Sequence, residues 1–474
     1  MQKLTKIIAT IGPSSDSPQM IEKLIKAGVN VFRFNFKHSE VEWHSERIER
    51  VNKVAKKLGV HVGTLIDLQG PEIRINMPED KIKIKKGELL LFGEEVYKGK
   101  EKGFSITHPQ IIEHLADGQL ILADDGYYTF RVVKTGKKTY LRSETTGVLP
   151  TRKSMNIPGA EFPFPVLIDR DFEGLKLAAR HAIDFIALSM VRSSKDLRTV
   201  RREAKKYGVT GKLVAKIETQ KALDDIENIV DASDGIMIAR GDLGVEIPIE
   251  RVPYFQKMII RQCMVQGKFV ITATQMLQTM IDNPFPTRAE ISDIANAVYD
   301  LTDCIMLSGE TASGEHPLAA VQVMEKTATF YEPKTDDDIR NKIMFSVRDT
   351  TALICDAAYD LYRDYVKANQ DVTGFMVFTQ TGHTATQLSR YRPKVPIFTF
   401  TPTSGVCEAL SVNFAVEPTV FSFKDTAEVT QKELARAVSL LKKNGHIKER
   451  RGKLIVVHGD QWGRGAGATT IRII

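Results

Sequence analysis

Eight short apolar runs, each ending in a polar residue and followed by a helical pattern, constrain this chain more than any other feature. They are Ile7–Ile11, Val29–Phe36, Val62–Leu68, Phe185–Val191, Leu213–Ile217, Gly235–Ala239, Phe269–Ala273 and Cys304–Leu307. They are apolar throughout, as parallel strands buried on both faces should be. Helical patterns fall between them at Met20–Ala27, Trp43–Leu58, Phe172–Ala182 and Val252–Gln266, and Thr287-x-x-Glu290 carries a capping-box signature. Eight such units predict an α/β fold, a closed (β/α)8 TIM barrel, with its active site at the C-terminal ends of the strands.

Between the third and fourth runs the character changes. Short alternating segments such as Lys81–Lys85 and Tyr128–Val132 are separated by Gly, Asp and Lys turns. They predict a small inserted β-barrel domain over residues 70–165, placed as a lid over the barrel mouth. The barrel then comprises 1–69 and 166–333. An acidic stretch at 334–338 marks a boundary, and 339–474 read as a third, α/β domain. Its predicted strands are Gly374–Thr379, Val395–Thr399, Leu454–His458 and an edge strand at Thr470–Ile474.

The chain has 474 residues, 42% hydrophobic and 26% charged, which excludes a disordered or collagenous protein. No run approaches the roughly 18 apolar residues of a membrane helix. Cys263, Cys304, Cys355 and Cys407 lie far apart, so they are expected to be buried or bystander thiols in a reducing cytosol. A net charge of +7 is mild for this length. The densest basic run, Arg192–Lys206, has helical spacing and reads as a solvated helix face, not a nucleic-acid patch. Such a balance suits an enzyme that handles polyanionic metabolites.

The strand ends carry the chemistry. Arg33, Asn35 and Lys37 alternate on one face at the end of the second run, Asp67 ends the third, and Lys216 and Glu218 share a face on the fifth. The sixth ends Arg240-Gly241-Asp242, the seventh Thr272-Ala273-Thr274-Gln275, and the eighth Ser308-Gly309-Glu310. Glu218 and Asp242 suit Mg²⁺ (or Mn²⁺), which takes one or two carboxylates and completes its shell with substrate oxygens. Arg33 and Lys216 can hold a phosphoryl group, and a lysine between carboxylates stays protonated. Gly241 lets backbone approach a ligand, and Thr274 offers a hydroxyl. Fixed cations with a divalent metal are the apparatus of phosphoryl transfer. Neither a P-loop nor a protein-kinase Gly-rich loop is present.

Those residues sit in segments that resemble the pyruvate kinases along essentially the whole chain. The segments are Thr5–Pro13, Gly70–Arg74, Met237–Gly244, Ala273–Leu277, Pro286–Glu290 and Met306–Ala312. The resemblance implies transfer of a phosphoryl group from phosphoenolpyruvate to ADP, giving pyruvate and ATP, and usually a homotetramer. It implies that Lys216 stabilises the migrating phosphoryl group, that Glu218 and Asp242 hold the divalent ion, and that Arg33 and Ser189 contact phosphate. Gly241, Asp242 and Thr274 would line the enolpyruvate carboxylate, with Thr274 or a water beside it supplying the proton. Asn35, His38, Arg74 and, from the lid, Lys153 would face the nucleotide phosphates. The rival readings are a Mg²⁺-dependent, enolate-handling barrel lyase and a non-catalytic effector-binding homologue; ADP dependence separates the first from a kinase.

The chain departs from the family pattern where potassium binds. Lys37 stands where Ser is usual, Leu68-Gln69 replace Thr-Lys, and Ile75 replaces Thr. The monovalent-cation position, which the resemblance places at Asn35, Lys37, Asp67 and Leu68, is expected to be ion-free, with the Lys37 ammonium supplying the charge and potassium dispensable. Thr219 and Ser154 also replace the usual Asn and Gly, with little consequence expected. In the third domain, Thr379, Thr381, Gly382, His383 and Thr384 follow a strand and open a helix, a ready anion site. They resemble the family's sugar-phosphate effector loop, with Trp462 and Arg464 on the facing loop.

Overall fold

The computed structural model describes residues 3–160, 162, 164–335, 343–347, 349–422, 429–447, 452–459 and 467–474. Most of the acidic boundary, together with Trp462 and Arg464, lies outside them. The eight predicted runs form one closed, fully parallel barrel: Lys6–Thr10, Val29–Asn35, Gly63–Asp67, Phe185–Leu188, Lys212–Ile217, Gly235–Ala239, Phe269–Ala273 and Cys304–Leu307. Both faces of each strand are buried, which is why the runs do not alternate. Ile8, Val31, Leu65, Val214, Met237 and Ile271 fill the interior, while their neighbours Ile7, Phe32, Ile66, Ala215, Ile236 and Val270 pack outward against the helices. Phe185 and Phe269 meet edge to face at 5.6 Å in the floor of the barrel. A Cβ on Gly235 would lie 2.3 Å from the Phe269 ring, so that strand begins with the one residue that admits it.

The helix Arg288–Tyr299 opens with the predicted capping box: Thr287 accepts from the Glu290 N–H, and the Glu290 carboxylate accepts from the Thr287 N–H. The inserted domain is a seven-stranded sheet with a separate two-stranded ribbon, around its own core of Ile75, Leu90, Phe104, Phe130 and Leu141. One buried carboxylate ties its entry to its exit. Asp171 accepts from the Gln69 and Gly70 N–H groups, where the chain leaves the barrel, and from Ile168 N–H, where it returns.

The third domain carries a five-stranded sheet. Val416–Val420, Ile397–Thr401, Val372–Phe378 and Lys453–His458 run parallel, and Thr470–Ile473 closes the edge antiparallel to the last. The first of these escapes the sequence reading, because Glu417 and Pro418 interrupt its apolar pattern. This domain plugs the base of the barrel. Val412 packs among the interior residues, and its carbonyl accepts from Cys304 Sγ. Buried Arg392 donates to Asp303 Oδ2 at 2.6 Å, while Asp303 also accepts from the Phe414 and Val270 N–H groups. All four cysteines are buried and free. No helix among the described residues is long and apolar enough to cross a membrane.

His44 sits beside the second strand among Phe34, Phe36 and Trp43, with Nε2 on the His38 carbonyl and Nδ1 without a partner among the described residues. Burial lowers its pKa to about 4. The unfolded chain therefore takes up a proton near pH 6.5 that the folded chain refuses until about pH 4. Stability from this group is complete above pH 6.5 and is lost as pH falls toward 4. The expected loss is about 3 kcal/mol, and His44→Phe should flatten that part of a pH series of urea unfolding midpoints.

Candidate active site

Asp67, the last residue of the third strand, is the centre of the rim. It is 2% exposed. Its Oδ2 accepts from Arg33 Nε at 2.9 Å and Nη2 at 2.6 Å, and its Oδ1 lies 3.2 Å from Lys216 Nζ. Arg33 uses its remaining arm on Thr10 Oγ1, at 2.9 Å. Lys216 also reaches Ser189 Oγ at 2.7 Å and Glu218 Oε1 at 2.8 Å, and Ser189 passes its own proton to the Leu68 carbonyl at 2.7 Å. Five strands thus meet in one hydrogen-bonded cluster.

The charges follow from this geometry. Burial alone would push Lys216 down, but Asp67, Glu218 and Asp242 together carry it above the ordinary lysine value, so it is an ammonium. Burial would raise Asp67, and Lys216 and Arg33 hold it below the usual carboxylate range. Glu218 is raised, by burial first and by Asp242 in addition, despite Lys216. Its second oxygen accepts from the Met190 N–H at 2.6 Å, which holds Met190 at a left-handed φ of 56°.

On the opposite side of the rim, Gly241 N–H donates to Thr274 Oγ1 at 2.8 Å, and that hydroxyl donates to the Ala273 carbonyl at 2.7 Å. Thr274 and Gln275 are consecutive non-glycine residues with φ of 66° and 54°, a conformation that persists only when the surroundings impose it. Arg240 imposes it. Its guanidinium donates to the carbonyls of Ala273 and Thr274, at 3.2 and 2.7 Å, and forks onto Asp293 at 2.7 Å through both nitrogens. Glu310 braces the next turn, accepting from the Leu277 and Ser308 N–H groups. Asp242 follows Gly241 in the first turn of the helix Arg240–Glu246.

A second cluster spans barrel and lid. Lys37 lies two residues beyond the end of its strand, in a turn, and forms an ion pair with Glu72 Oε1. Glu72 Oε2 accepts from Arg74 Nε at 3.1 Å and Nη2 at 2.8 Å. Asn35 Oδ1 accepts from the Lys37 N–H at 3.3 Å. Burial lowers Lys37 and the Lys216 charge lowers it further, while Asp242 and Glu218 oppose this. His38 is lowered by burial and then by the Lys37, Arg74 and Arg33 charges. Lys153 stands apart, 2.8 Å from Asp124 within the lid.

Arg33, Asp67, Ser189, Lys216 and Glu218 therefore form one group, and Gly241 and Thr274 another beside it. Sequence reasoning missed Asp67 as the clamp, Glu72 as the bridge, and Arg240, Asp293 and Glu310 as supports. Asp67 had a usable signal: a lone acid at a strand end, with cations on strands either side. Asp293 lies mid-helix and had none. In the third domain, the Gly382 N–H donates to Thr379 Oγ1 at 3.1 Å and His383 Nε2 meets Asp349 at 2.9 Å. Thr379 and Thr384 are buried, whereas Thr381 and His383 are exposed. Gly382 has φ of 85°, and a Cβ there would press on Leu410.

Residues 2–321 match the family model for the pyruvate kinase barrel domain, and residues 362–474 match that for the pyruvate kinase alpha/beta domain. A pyruvate kinase of Staphylococcus epidermidis is 39% identical over 462 residues, covering 96% of this chain and 77% of that protein. One from Bacillus licheniformis is 37% identical over 475 residues, covering 98% and 79%. One from Staphylococcus aureus is 39% identical over 460 residues, covering 96% and 77%.

Removing the central carboxylate should leave two buried cations facing one another. Asp67→Ala is expected to cost about 3 kcal/mol or more at pH 7, read as a lower urea midpoint. Lys216→Met in the same background should recover part of that loss; a second loss of equal size would show that the charges are not coupled.

Proposed function

The chain belongs to the pyruvate kinase family, and on that premise we propose how its residues divide the work of moving a phosphoryl group from phosphoenolpyruvate to ADP. The observation that carries the assignment is the buried Arg33–Asp67–Lys216–Ser189 cluster. Two fixed cations and a hydroxyl are held there at one point of the rim, with the Lys216 ammonium locked in its charged form. Arg33 and Ser189 grip the phosphoryl oxygens, and Lys216 follows the group as it leaves the enol oxygen for the ADP β-phosphate. Charge spread over the equatorial oxygens then meets donors already in place, with no reorganisation cost.

Glu218 and Asp242 would hold Mg²⁺ or Mn²⁺. They are close enough for Asp242 to raise the Glu218 carboxyl, and among the described residues no group of three or more acids, His or Cys gathers into a cage. That donor set suits an ion that completes its shell with substrate oxygens. Bound there, the ion would neutralise phosphate and enolate charge. The Gly241 N–H and Thr274 Oγ1 line the enolpyruvate carboxylate. As the C–O–P bond breaks, the enolate takes a proton on its methylene carbon from Thr274, or from a water on it, and becomes pyruvate. Asn35, His38 and Arg74, with Lys153 from the lid, take the nucleotide phosphates.

Lys37 does the work of a monovalent cation. Its ammonium is paired with Glu72 and electrostatically coupled to Lys216, Asp242 and Glu218, so its charge belongs to the site and not to the solvent. The groups that would otherwise ligate potassium are engaged: Asp67 by Arg33 and Lys216, the Leu68 carbonyl by Ser189. The third domain receives a phosphorylated effector on the Thr379–Thr384 loop, His383 included, to which the family resemblance adds Trp462 and Arg464.

The first measurement is pyruvate formation from phosphoenolpyruvate, ADP and Mg²⁺ in potassium-free buffer. Full turnover without ADP would overturn the kinase assignment. Near-maximal ADP-dependent turnover is expected before potassium is added, and Lys37→Ser should lower it about tenfold or more, with potassium restoring part of the loss. A variant as active as the parent, with no response to potassium, would remove Lys37 from the role. Thr381→Glu, which places a carboxylate on the exposed turn of the effector loop, should abolish activation by any phosphorylated sugar while leaving basal turnover intact.

A further inference from the structure

The turn that carries Lys37 and His38 has little of its own to hold it. The second barrel strand stops at Asn35, residues 38–40 are exposed, and Ser39 stands at a left-handed φ of 62°. The helix that follows, Val41–Leu58, begins at Glu40, whose side chain makes no capping bond. Asn35 anchors the turn from within: its carbonyl accepts from the His38 N–H at 3.2 Å, and its side chain from the Lys37 N–H at 3.3 Å.

The remaining carbonyls of the turn converge on a guanidinium from another helix. Arg170 Nε donates to the Phe36 carbonyl at 2.9 Å, and Nη2 donates to the carbonyls of Ser39 and, at 3.5 Å, His38. The Arg170 Cζ lies 4.9 Å from the centroid of the Phe36 ring, so the same group also stacks on the residue that leads into the turn. His44 Nε2 donates to the His38 carbonyl as well, at 2.7 Å. The ion pair that Arg170 makes among the described residues, with exposed Glu173, is 4.0 Å long. A planar cation that gives its fork to three backbone carbonyls, and so little to a carboxylate, fixes backbone geometry.

The place of Arg170 in the chain adds a second link. It is the second residue of the helix Asp169–Arg180, and Asp171, the third, accepts from the N–H groups at the lid's entry and exit. Consecutive residues of one helical turn therefore hold the turn of Lys37 and His38 and both ends of the lid.

We propose that Arg170 is a positioning residue for the nucleotide: it sets the turn from which His38 meets the ADP phosphates and Lys37 delivers its charge, and it touches neither substrate. This rests on the reading that His38 faces the nucleotide. The enolpyruvate side is held separately, Arg33 and Lys216 by Asp67 and the Thr274 backbone by Arg240.

The test is steady-state kinetics of the full chain, with each substrate varied in turn. Arg170→Met is expected to raise KM for ADP about tenfold or more, while KM for phosphoenolpyruvate moves by less than about twofold. Arg170→Lys keeps the charge and loses the fork; its ADP KM should fall between those of the parent and Arg170→Met, and it decides the matter if the first variant folds poorly. His38→Ala should raise the same constant. Because both side chains act through one turn, the double variant should fall well short of the product of the two single effects. A parental ADP KM in the Arg170 variants, equal rises for both substrates, a fall in kcat alone, or a double variant that reaches the full product overturns the proposal. If ADP KM rises in His38→Ala but not in the Arg170 variants, the proposal fails and the nucleotide reading stands. If His38→Ala leaves it unchanged too, the nucleotide reading has failed and the proposal falls with it.

Discussion

A single buried carboxylate governs the catalytic end of this molecule. Asp67 faces Arg33 on one neighbouring strand and Lys216 two strands away on the other side, and it is nearly sealed from water. Each cation alone would be expensive to bury; the carboxylate between them offsets both, and Glu218 meets Lys216 from the next position. The clamp also has a mechanical side. Asp67 ends the strand that leads directly into the lid, and a few residues on, Asp171 gathers the N–H groups of Gln69, Gly70 and Ile168. Asp67 and the entry to the inserted domain at Gln69 and Gly70 are thus one short stretch of chain, tied by Asp171 to the exit at Ile168.

Three of the non-glycine residues with left-handed backbone angles stand at the rim around that cluster. Met190, after the fourth barrel strand, and Thr274 and Gln275, after the seventh, adopt left-handed backbone angles, held by Glu218 on the Met190 N–H and by Arg240 on the Thr274 carbonyl. Such angles cost about 1–3 kcal/mol each. They turn the Thr274 hydroxyl toward the Gly241 N–H, which a relaxed strand end would not do. Arg240 is conspicuous in the sequence as a strand-end cation, but its guanidinium faces backbone and Asp293 rather than the mouth of the barrel. It is a positioning residue.

Much of the architecture was legible because burial on both faces leaves an unmistakable pattern. Five of the eight barrel strands begin where the apolar runs predict and four end there, and the other bounds shift by one to three residues. The capping box at Thr287 was readable for the same reason, being local. What was not readable was anything that depends on side chains meeting across the fold. Lys37 was placed on the strand face by alternation, yet the strand stops at Asn35 and Lys37 reaches the site from a turn. The strand Val416–Val420 was hidden by Glu417 and Pro418; Glu417 is polar because it pairs with Lys6 of the barrel, a contact no local pattern can announce.

The Lys37 ammonium is a cation carried on the chain itself, within electrostatic reach of Lys216, Asp242 and Glu218. The penalty is desolvation, visible in the downward pull on the Lys37 pKa. Asp242 and Glu218 oppose it, and Glu72, which pairs with Lys37, is shared: its other oxygen holds Arg74, whose Nη1 reaches the Arg152 carbonyl at the base of the lid. The carboxylate that pairs with Lys37 is therefore also the one that fixes the root of the lid. Pairing Lys37 and setting the lid are thus a single electrostatic arrangement around Glu72.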